Sequence, residues 1–336
     1  MAKLVDMNLK SITFCLMLLM LVLGASAQVA TTPSNIVVAQ DGSGTFKTIQ
    51  EAVNSVRDHS QVNVRIQIKA GVYHEKLVIP AWKKNITLVG EDREKTIVTG
   101  DDYSGKAFPG KDFTGNPKYS TYTSYTVLVQ GNDCTLQNLT IENTAGMVGQ
   151  AVALCVESDR FRAIQCSIFG NQDTLYTSKD GRNYFEGCLI TGTTDFIFGE
   201  ATVVFRNCTI KSLTNSYITA ASTTPQQQFG YVFFDCKLIA ADGVDQVYLG
   251  RPWRSYAKTV FIRTEMDKHI IPVGWHAWPG DPMFPAKEKT AFYAEWESSG
   301  PGSDQSKRVA WAKKLTKSDI KKYTLKNIFG DWNPLS

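Results

Sequence analysis

Two aspartates in this 336-residue sequence stand in apolar stretches, where burying a carboxylate costs free energy unless it is paired. Asp173 lies in "GNQDTLY", residues 170–176, and Asp195 lies further along in "TDFIFGE", residues 194–200. Each aspartate follows a cysteine, Cys166 or Cys188, by seven residues. We expect each acid to interrupt an apolar strand, and the matched spacing indicates equivalent places in consecutive repeats.

The distance between stacked repeats determines what such a pair of acids can do. Neighbouring parallel strands lie about 4.8 Å apart, so equivalent side chains on consecutive coils come close together. Two carboxylates at that distance cannot both ionise freely, and one is driven toward its protonated form. One of Asp173 and Asp195 then becomes a candidate acid and the other a candidate nucleophile or base. The alternative is that the two are unrelated loop residues.

Four further side chains have types that suit such a pair. Arg251 in "YLGRPW" can hold a carboxylate through two parallel hydrogen bonds, and Trp253 offers a flat apolar face for a sugar ring. The alternative for this stretch is a surface arginine beside a core tryptophan. Gln172 and Gln150, the latter in "GQAVALCV", carry neutral amide donors that suit a transient oxyanion.

Signatures of several other chemistries are absent from the sequence. There is no G-x-S-x-G, no C-x-x-C and no H-E-x-x-H. None of the four histidines has the spacing of metal ligands: His59, His74, His269 and His276. We therefore expect no metal, no cofactor and no nucleic-acid partner.

A repeat built around cysteines indicates the fold that positions these groups. The segments "FRAIQCSI", "NYFEGCLI", "VVFRNCTI" and "YVFFDCKL" share one pattern, and "TLQNLTI" fits it with Leu139 in the cysteine position. Each position follows the one before it by about 20–30 residues, which is typical of a solenoid of short strands. We expect mostly free, buried thiols in an internal ladder, with a Cys208–Cys236 bridge as the exception.

The segments on either side of the repeat differ from it. From Val62 to Phe261 short β-type runs dominate, punctuated by Gly, Asn and Asp. Residues 48–56 have helical periodicity, and Thr48 with Glu51 forms a capping box, so a short helix is expected to cover the open end of the solenoid. From about residue 297 a lysine-rich tail is expected to pack along the outside, with its lysines in solvent rather than on a polyanion.

The N-terminal segment, residues 1–27, has the pattern of a secretory signal. An apolar run from about Ile12 to Leu23 follows two lysines and precedes "ASA"; an N-terminal membrane anchor is the alternative. Removal of two lysines and one aspartate lowers the formal net charge from +4 to +3. We expect residues 28–336 to form one secreted domain that has no membrane contact after cleavage.

Five stretches together resemble the pectin methylesterases (pectinesterases). They are "GVYHEK", "GQAVAL", "GNQDTLY", "TDFIFG" and "YLGRPW", in the order of that family and within residues 36–296. The resemblance implies an all-β fold, a right-handed parallel β-helix. Asn171 and Glu200 depart from the "GYQDTL" and "FGNA" of many plant members, without altering the matched catalytic positions.

The resemblance also implies a role for each matched residue. Asp195 matches the nucleophile, Asp173 the general acid and then base, and Arg251 the residue bonded to the nucleophile. Gln172 matches the main oxyanion donor, assisted by Gln150. Substrate-binding positions are implied for Trp253, Thr121, Tyr122, Tyr176, Phe198 and Trp275.

The reaction implied by the resemblance is hydrolysis of the methyl esters of galacturonate units in pectin, with release of methanol. The expected partner is methyl-esterified homogalacturonan, bound by a monomer without metal or cofactor. Two alternatives stay open. A pectate lyase or polygalacturonase would use the same architecture to cut the polymer, and a non-catalytic β-helix would only bind it.

Overall fold

The chain coils repeatedly through three parallel sheets, named here A, B and C. A computed structural model describes residues 35–336, which form one compact unit; the predicted signal, residues 1–27, lies outside the described residues. From β2 to β24 successive strands belong to sheets A, B and C in strict rotation, and every strand pair is parallel. This is the parallel β-helix expected from the repeat.

The strands are short, and their bounds are as follows. Sheet A contains β1 (Asn35–Val38), β2 (Val64–Ile68), β5 (Ile86–Gly90), β8 (Thr135–Gln137), β11 (Phe161–Ile164), β14 (Arg182–Glu186), β17 (Thr202–Arg206), β20 (Tyr231–Phe234), β23 (Lys258–Ile262), β25 (Phe292–Trp296) and β26 (Lys313–Lys314). Sheet B contains β3 (Gly71–His74), β6 (Thr96–Gly100), β9 (Thr140–Asn143), β12 (Ser167–Phe169), β15 (Leu189–Gly192), β18 (Thr209–Ser212), β21 (Lys237–Ala240) and β24 (Glu265–Met266). Sheet C contains β4 (Leu77–Ile79), β7 (Val127–Val129), β10 (Leu154–Val156), β13 (Leu175–Thr177), β16 (Ile197–Gly199), β19 (Tyr217–Ala221) and β22 (Tyr248–Gly250).

The cysteine ladder lies at the start of the sheet B strands. The residues that follow the four cysteines are in register: Ser167 with Leu189, then Thr209, then Lys237. The cysteines themselves are therefore stacked, and each is at most 2% exposed. All six cysteines of the described residues are free thiols. The expected Cys208–Cys236 bridge is wrong, because each of these thiols donates instead to a backbone carbonyl of the preceding coil.

A second column inside the coil is aromatic. Phe185, Phe205, Phe233 and Phe261 occupy registered positions of sheet A, with successive ring centroids 5.0, 4.5 and 4.3 Å apart. All four rings are fully buried. Stacking the same residue type on each coil fills the interior and fixes the register of the strands.

Helix α1 (Ile49–Ser55) begins at the predicted capping box. Thr48 accepts a hydrogen bond from the Glu51 backbone N–H at 3.2 Å, and Glu51 accepts one from the Thr48 N–H at 3.3 Å. The Glu75 carboxylate accepts bonds from two further N–H groups of the first turn, each at 2.9 Å. The buried face of α1 packs against β1, β2 and β4, so the helix covers the N-terminal end of the coil as expected.

The C-terminal tail packs on the outer face of sheet A. It contains helices α2 (Lys317–Ile320) and α3 (Leu325–Phe329). Ile328 and Phe329 join a buried cluster with outward-facing residues of sheet A such as Tyr184 and Val232. The Phe329 carbonyl accepts a hydrogen bond from Arg182 at 2.7 Å. The lysines of the tail stay exposed, which agrees with a solvated face.

Candidate active site

Asp173 and Asp195 lie in the turns that lead into consecutive strands of sheet C. Leu175 in β13 pairs with Ile197 in β16, so the aspartates two residues earlier occupy equivalent positions one coil apart. The expectation that each acid interrupts a strand is wrong, because both have left-handed backbone conformations, with φ of 65° and 51°. Aspartate tolerates this conformation better than most residues.

The backbone of each turn is fixed by its neighbouring coil. The Asp173 N–H donates to the Thr194 carbonyl at 3.1 Å, and the Asp195 N–H donates to the Tyr217 carbonyl at 2.8 Å. The side chains project outward into a cleft of about 290 Å³. Asp173 is 9% exposed and Asp195 is 6% exposed, so both carboxyl groups are largely removed from water but reachable from the cleft.

Arg251 holds the Asp195 carboxylate through two hydrogen bonds. Its Nε donates to Oδ1 at 3.0 Å and its Nη2 donates to Oδ2 at 2.6 Å. Arg251 follows β22, and its backbone N–H donates to the Thr219 carbonyl of the preceding coil at 2.9 Å. The guanidinium carbon lies 4.0 Å from the Tyr217 ring centroid and 3.6 Å from that of Trp278. The arginine is therefore held by backbone, carboxylate and aromatic contacts together.

The two carboxyl groups differ in their surroundings and therefore in acidity. Burial raises the pKa of Asp173 well above its usual range, and the nearby Asp195 carboxylate raises this pKa further. Burial also raises the pKa of Asp195, but the hydrogen bonds and charge of Arg251 oppose that effect. These surroundings favour the protonated form at Asp173 and, through Arg251, the anion at Asp195.

Gln150 and Gln172 lie side by side on the same wall of the cleft. They form an isolated parallel bridge, and the Ala151 N–H donates to the Gln172 carbonyl at 3.1 Å. Both side chains line the cleft beside the aspartates. Neither side-chain amide has a hydrogen-bond partner among residues 35–336, so each keeps N–H groups available for a bound molecule.

Aromatic rings form one side of the cleft. Tyr176 packs between Tyr122 and Phe198, with ring centroids 5.5 and 4.6 Å away, and Phe198 meets Trp253 at 5.8 Å. Tyr122, Phe198, Trp253 and Thr121 line the cleft. Tyr176 itself does not line the cleft, contrary to the expectation: it is 7% exposed and packs behind these rings.

Trp275 does not line the cleft, which corrects the expectation. It continues sheet C by pairing with Gly250, and its ring turns into the core, 4.6 Å from Tyr293 and 5.9 Å from Phe261. Only 1% of Trp275 is exposed. Trp278, three residues later, lines the cleft instead. The stretch "WHAW" contains both tryptophans, so the sequence indicated an aromatic residue here. Which of the two rings points into the core and which into the cleft depends on the pairing with Gly250, which the sequence does not specify.

A second cavity of about 370 Å³ lies near the base of the loop that carries Thr121 and Tyr122. Its cation, Lys76, is already paired with Asp102 at 3.1 Å. Among residues 35–336, no three His, Cys, Asp or Glu side chains are grouped as metal ligands would be. The cleft of about 290 Å³ combines two carboxyl groups of different acidity with two side-chain amides that have no protein partner among residues 35–336.

The sequence profile of the pectinesterase family matches residues 35–331. The chain belongs to the pectinesterase family. The match includes every strand of the β-helix and every residue that lines the cleft.

Solved and curated pectinesterases are similar over most of this chain. The carrot pectin methylesterase is 35% identical, with a TM-score of 0.79 over 88% of this chain and 94% of the carrot chain. A pectin methylesterase crystallised in complex with hexasaccharide VII is 30% identical, with a TM-score of 0.76 over 89% and 98% of the two chains. An Arabidopsis thaliana relative, probable pectinesterase/pectinesterase inhibitor 23, is 37% identical over 87% of this chain and 51% of its own length. The chain thus spans about half the length of the curated relatives it matches.

No helix within residues 35–336 combines the length and the apolar composition that crossing a membrane requires.

Proposed function

We propose that this chain is a pectin methylesterase that hydrolyses the methyl esters of galacturonate units in pectin. The observation that carries the proposal is the asymmetric carboxyl pair: Asp195 is bound by Arg251 through two hydrogen bonds, beside a buried Asp173 whose pKa is raised by burial and by the Asp195 charge. Acyl transfer needs a nucleophile, an acid for the leaving group and donors for an oxyanion. The cleft offers all three within one face of sheet C.

The first half of the reaction uses Asp195 as nucleophile. One of its carboxylate oxygens attacks the ester carbonyl carbon, and the carbonyl π electrons move to oxygen. The side-chain amides of Gln172 and Gln150 donate to that oxyanion. As the C–O bond to the methoxy group breaks, Asp173 donates its proton, so methanol leaves and an anhydride joins Asp195 to the galacturonate carbonyl.

The second half restores both carboxyl groups. Asp173, now ionised, takes a proton from a water molecule that attacks the galacturonate carbonyl of the anhydride. The bond to Asp195 breaks, and Asp195 leaves as a carboxylate that Arg251 again stabilises. The products are methanol, released in the first half, and a free carboxylate on the polymer.

The proposed substrate is methyl-esterified homogalacturonan, bound along the aromatic side of the cleft. The rings of Trp253, Tyr122 and Phe198 provide flat apolar surfaces for sugar rings, with Thr121 beside them. A related pectin methylesterase was crystallised with a hexasaccharide, which supports an oligosaccharide ligand here. The protein acts as a secreted monomer, since one chain supplies all of these residues and its N-terminal segment, residues 1–27, has a signal pattern.

The proposal is tested by incubating the purified protein with highly methylated pectin. Methanol would be followed by a coupled assay and polymer length by size-exclusion chromatography. We expect stoichiometric release of methanol and acid with the polymer length unchanged. Falling polymer length with unsaturated ends would indicate a lyase, and falling length with new reducing ends would indicate a polygalacturonase. Binding of pectin without release of methanol and without a change in polymer length would indicate a non-catalytic β-helix.

A further inference from the structure

A buried lysine lies behind the cleft wall, outside the groups that the reaction above uses. The side chain of Lys287 is 0% exposed. Its Nζ donates to Asp281 Oδ2 at 3.0 Å and to the Trp253 carbonyl at 3.4 Å. It also lies 4.5 Å from the centroid of the Trp278 ring. Two of its three neighbours therefore belong to residues that line the cleft.

Asp281 ties this lysine to the segment that carries Trp278. Its second carboxylate oxygen accepts hydrogen bonds from the N–H groups of Met283 and Phe284 at 3.0 and 3.2 Å. One carboxylate thus closes the turn after residue 280 and pairs with Lys287 at its end. This segment lies between β24 and β25, outside the regular coil, so few strand hydrogen bonds hold it in place.

A buried ammonium is not needed for packing alone. Taking a charge out of water costs several kcal/mol even when it is paired, and an apolar side chain of similar volume often serves as well. Trp278 is contacted by two cations, since the Arg251 guanidinium carbon lies 3.6 Å from its ring centroid. Arg251 in turn holds Asp195. The contacts therefore form a continuous series from Asp281 to the proposed nucleophile.

We infer that Lys287, fixed by Asp281, is a positioning residue: it holds Trp278 against Arg251 and adds a buried positive charge that favours the Asp195 carboxylate. This inference rests on the proposed function, because it assigns the charge a role in that reaction. Lys287 itself is enclosed by protein, so it does not touch the substrate.

The electrostatic surroundings of Asp195 agree with this assignment. The ionisable groups that interact electrostatically with Asp195 are Asp173, Arg251, Tyr217, His276, Lys287 and Tyr293. After Arg251, the charge of Lys287 is the next influence that lowers the Asp195 pKa, ahead of that of His276. Loss of the lysine charge therefore raises the Asp195 pKa. As the pH falls, Asp195 is then protonated earlier, so the activity that requires its anion begins to decline at a higher pH.

The test compares Lys287→Met, Lys287→Gln and Lys289→Met with the unmodified protein. Methionine removes both the charge and the bond to Asp281, whereas glutamine removes the charge but keeps an amide donor on a side chain one atom shorter. Lys289 is an exposed lysine of the same turn, so Lys289→Met is the matched control. The pH profile of kcat/KM would be measured from pH 4 to 9.

We expect the acid limb to move to higher pH in both Lys287 variants, and not at all in Lys289→Met. Lys287→Met should also raise KM more than Lys287→Gln, because Trp278 loses its support. A uniform loss of activity with an unmoved acid limb in the folded variants would overturn the inference. If one of the two Lys287 variants does not fold, the acid limb of the other variant tests the inference.

A measurement without substrate separates this inference from the proposed function. The Asp195 carboxyl would be titrated by ¹³C NMR in the unmodified protein and in Lys287→Gln. A higher Asp195 pKa in the variant supports the role of Lys287, and an unchanged pKa contradicts it. Absence of methanol release by the unmodified protein would refute the esterase and leave this titration as a valid test of the lysine.

Discussion

Two arginine–aspartate pairs in this molecule have the same geometry and different surroundings. In one, Arg251 donates from Nε and Nη2 to Asp195 at 3.0 and 2.6 Å. In the other, Arg263 donates from the same atoms to Asp235 at 2.7 and 2.8 Å. Both aspartates have a left-handed backbone, with φ of 51° and 54°. The coil therefore builds the same two-bond pair in two different surroundings.

Solvent exposure separates the two pairs. The side chains of Arg251 and Asp195 are 17% and 9% exposed, whereas those of Arg263 and Asp235 are 47% and 38% exposed. Exposed pairs contribute only about 0–1 kcal/mol, because water screens them. Burial makes the first pair different, since it raises the Asp195 pKa while Arg251 opposes the rise. A paired aspartate becomes a candidate nucleophile here only when it is also removed from water beside a second acid.

The largest expected difference between the pairs is in activity after removal of the carboxylate. Asp195→Asn removes the attacking oxygen, so methanol release should fall below the limit of the assay. Asp173→Asn keeps the nucleophile but cannot protonate methanol, and the loss should be about 10²–10⁴-fold. Asp235→Asn should retain full activity.

Circular dichroism and thermal unfolding would show that each asparagine variant is folded. If folded Asp195→Asn keeps more than about a tenth of the original rate, a barrier change below ~1.4 kcal/mol, then Asp195 is not the nucleophile. Equal losses in Asp195→Asn and Asp235→Asn would also remove the distinction between the two pairs.

Removal of the arginine should change the pH dependence of one pair only. Arg251→Ala leaves Asp195 buried without its hydrogen bonds and positive charge, so the Asp195 pKa rises further. As the pH falls, Asp195 is then protonated earlier and activity that depends on its anion is lost sooner. The acid limb of the kcat/KM profile therefore moves to higher pH. Arg263→Ala should leave the profile unmoved and change the free energy of unfolding by less than about 1 kcal/mol. Profiles from pH 4 to 9 for both variants test this; an unmoved limb in folded Arg251→Ala would contradict it.

The smallest expected effect on activity concerns Trp253, which lines the cleft. Trp253→Ala removes an aromatic surface from the substrate path, and kcat/KM should fall mainly through a higher KM. The loss should be about tenfold, since stacked aromatic contacts contribute about 0.5–1.5 kcal/mol beyond their area. Steady-state kinetics on methylated pectin would measure it. A fall in kcat at unchanged KM would assign Trp253 to the chemical step rather than to binding.

The repeat made much of this site predictable from the sequence. Asp173 and Asp195 each follow a stacked cysteine by seven residues, and constant spacing within a coil carries both acids to the same edge of sheet C. The capping box at Thr48 was readable for a similar reason, because it depends only on residues three apart. The positions of the two aspartates follow from the periodic repeat, and the capping box follows from residues that are close in sequence, so both could be predicted without the structure.

Two of the three features that the sequence did not reveal depend on segments outside the repeat. Trp275 was expected in the cleft, but its pairing with Gly250 turns the ring inward, and Trp278 takes that place. The left-handed turns at the two aspartates were missed because their apolar flanks suggested strands. Lys287 gave no signal at all, since its burial results from contacts with Asp281 and Trp278 that only the folded chain brings together.

The proposed mechanism requires that Asp173 holds the proton and Asp195 carries the charge. It is tested most directly by titrating both carboxyl carbons in ¹³C-aspartate-labelled protein, with signals assigned from Asp173→Asn and Asp195→Asn. We expect Asp173 to stay protonated to a clearly higher pH than Asp195, well above the usual range for aspartate. A proton held on Asp195 while Asp173 is ionised would contradict it, as would ordinary titration of both groups.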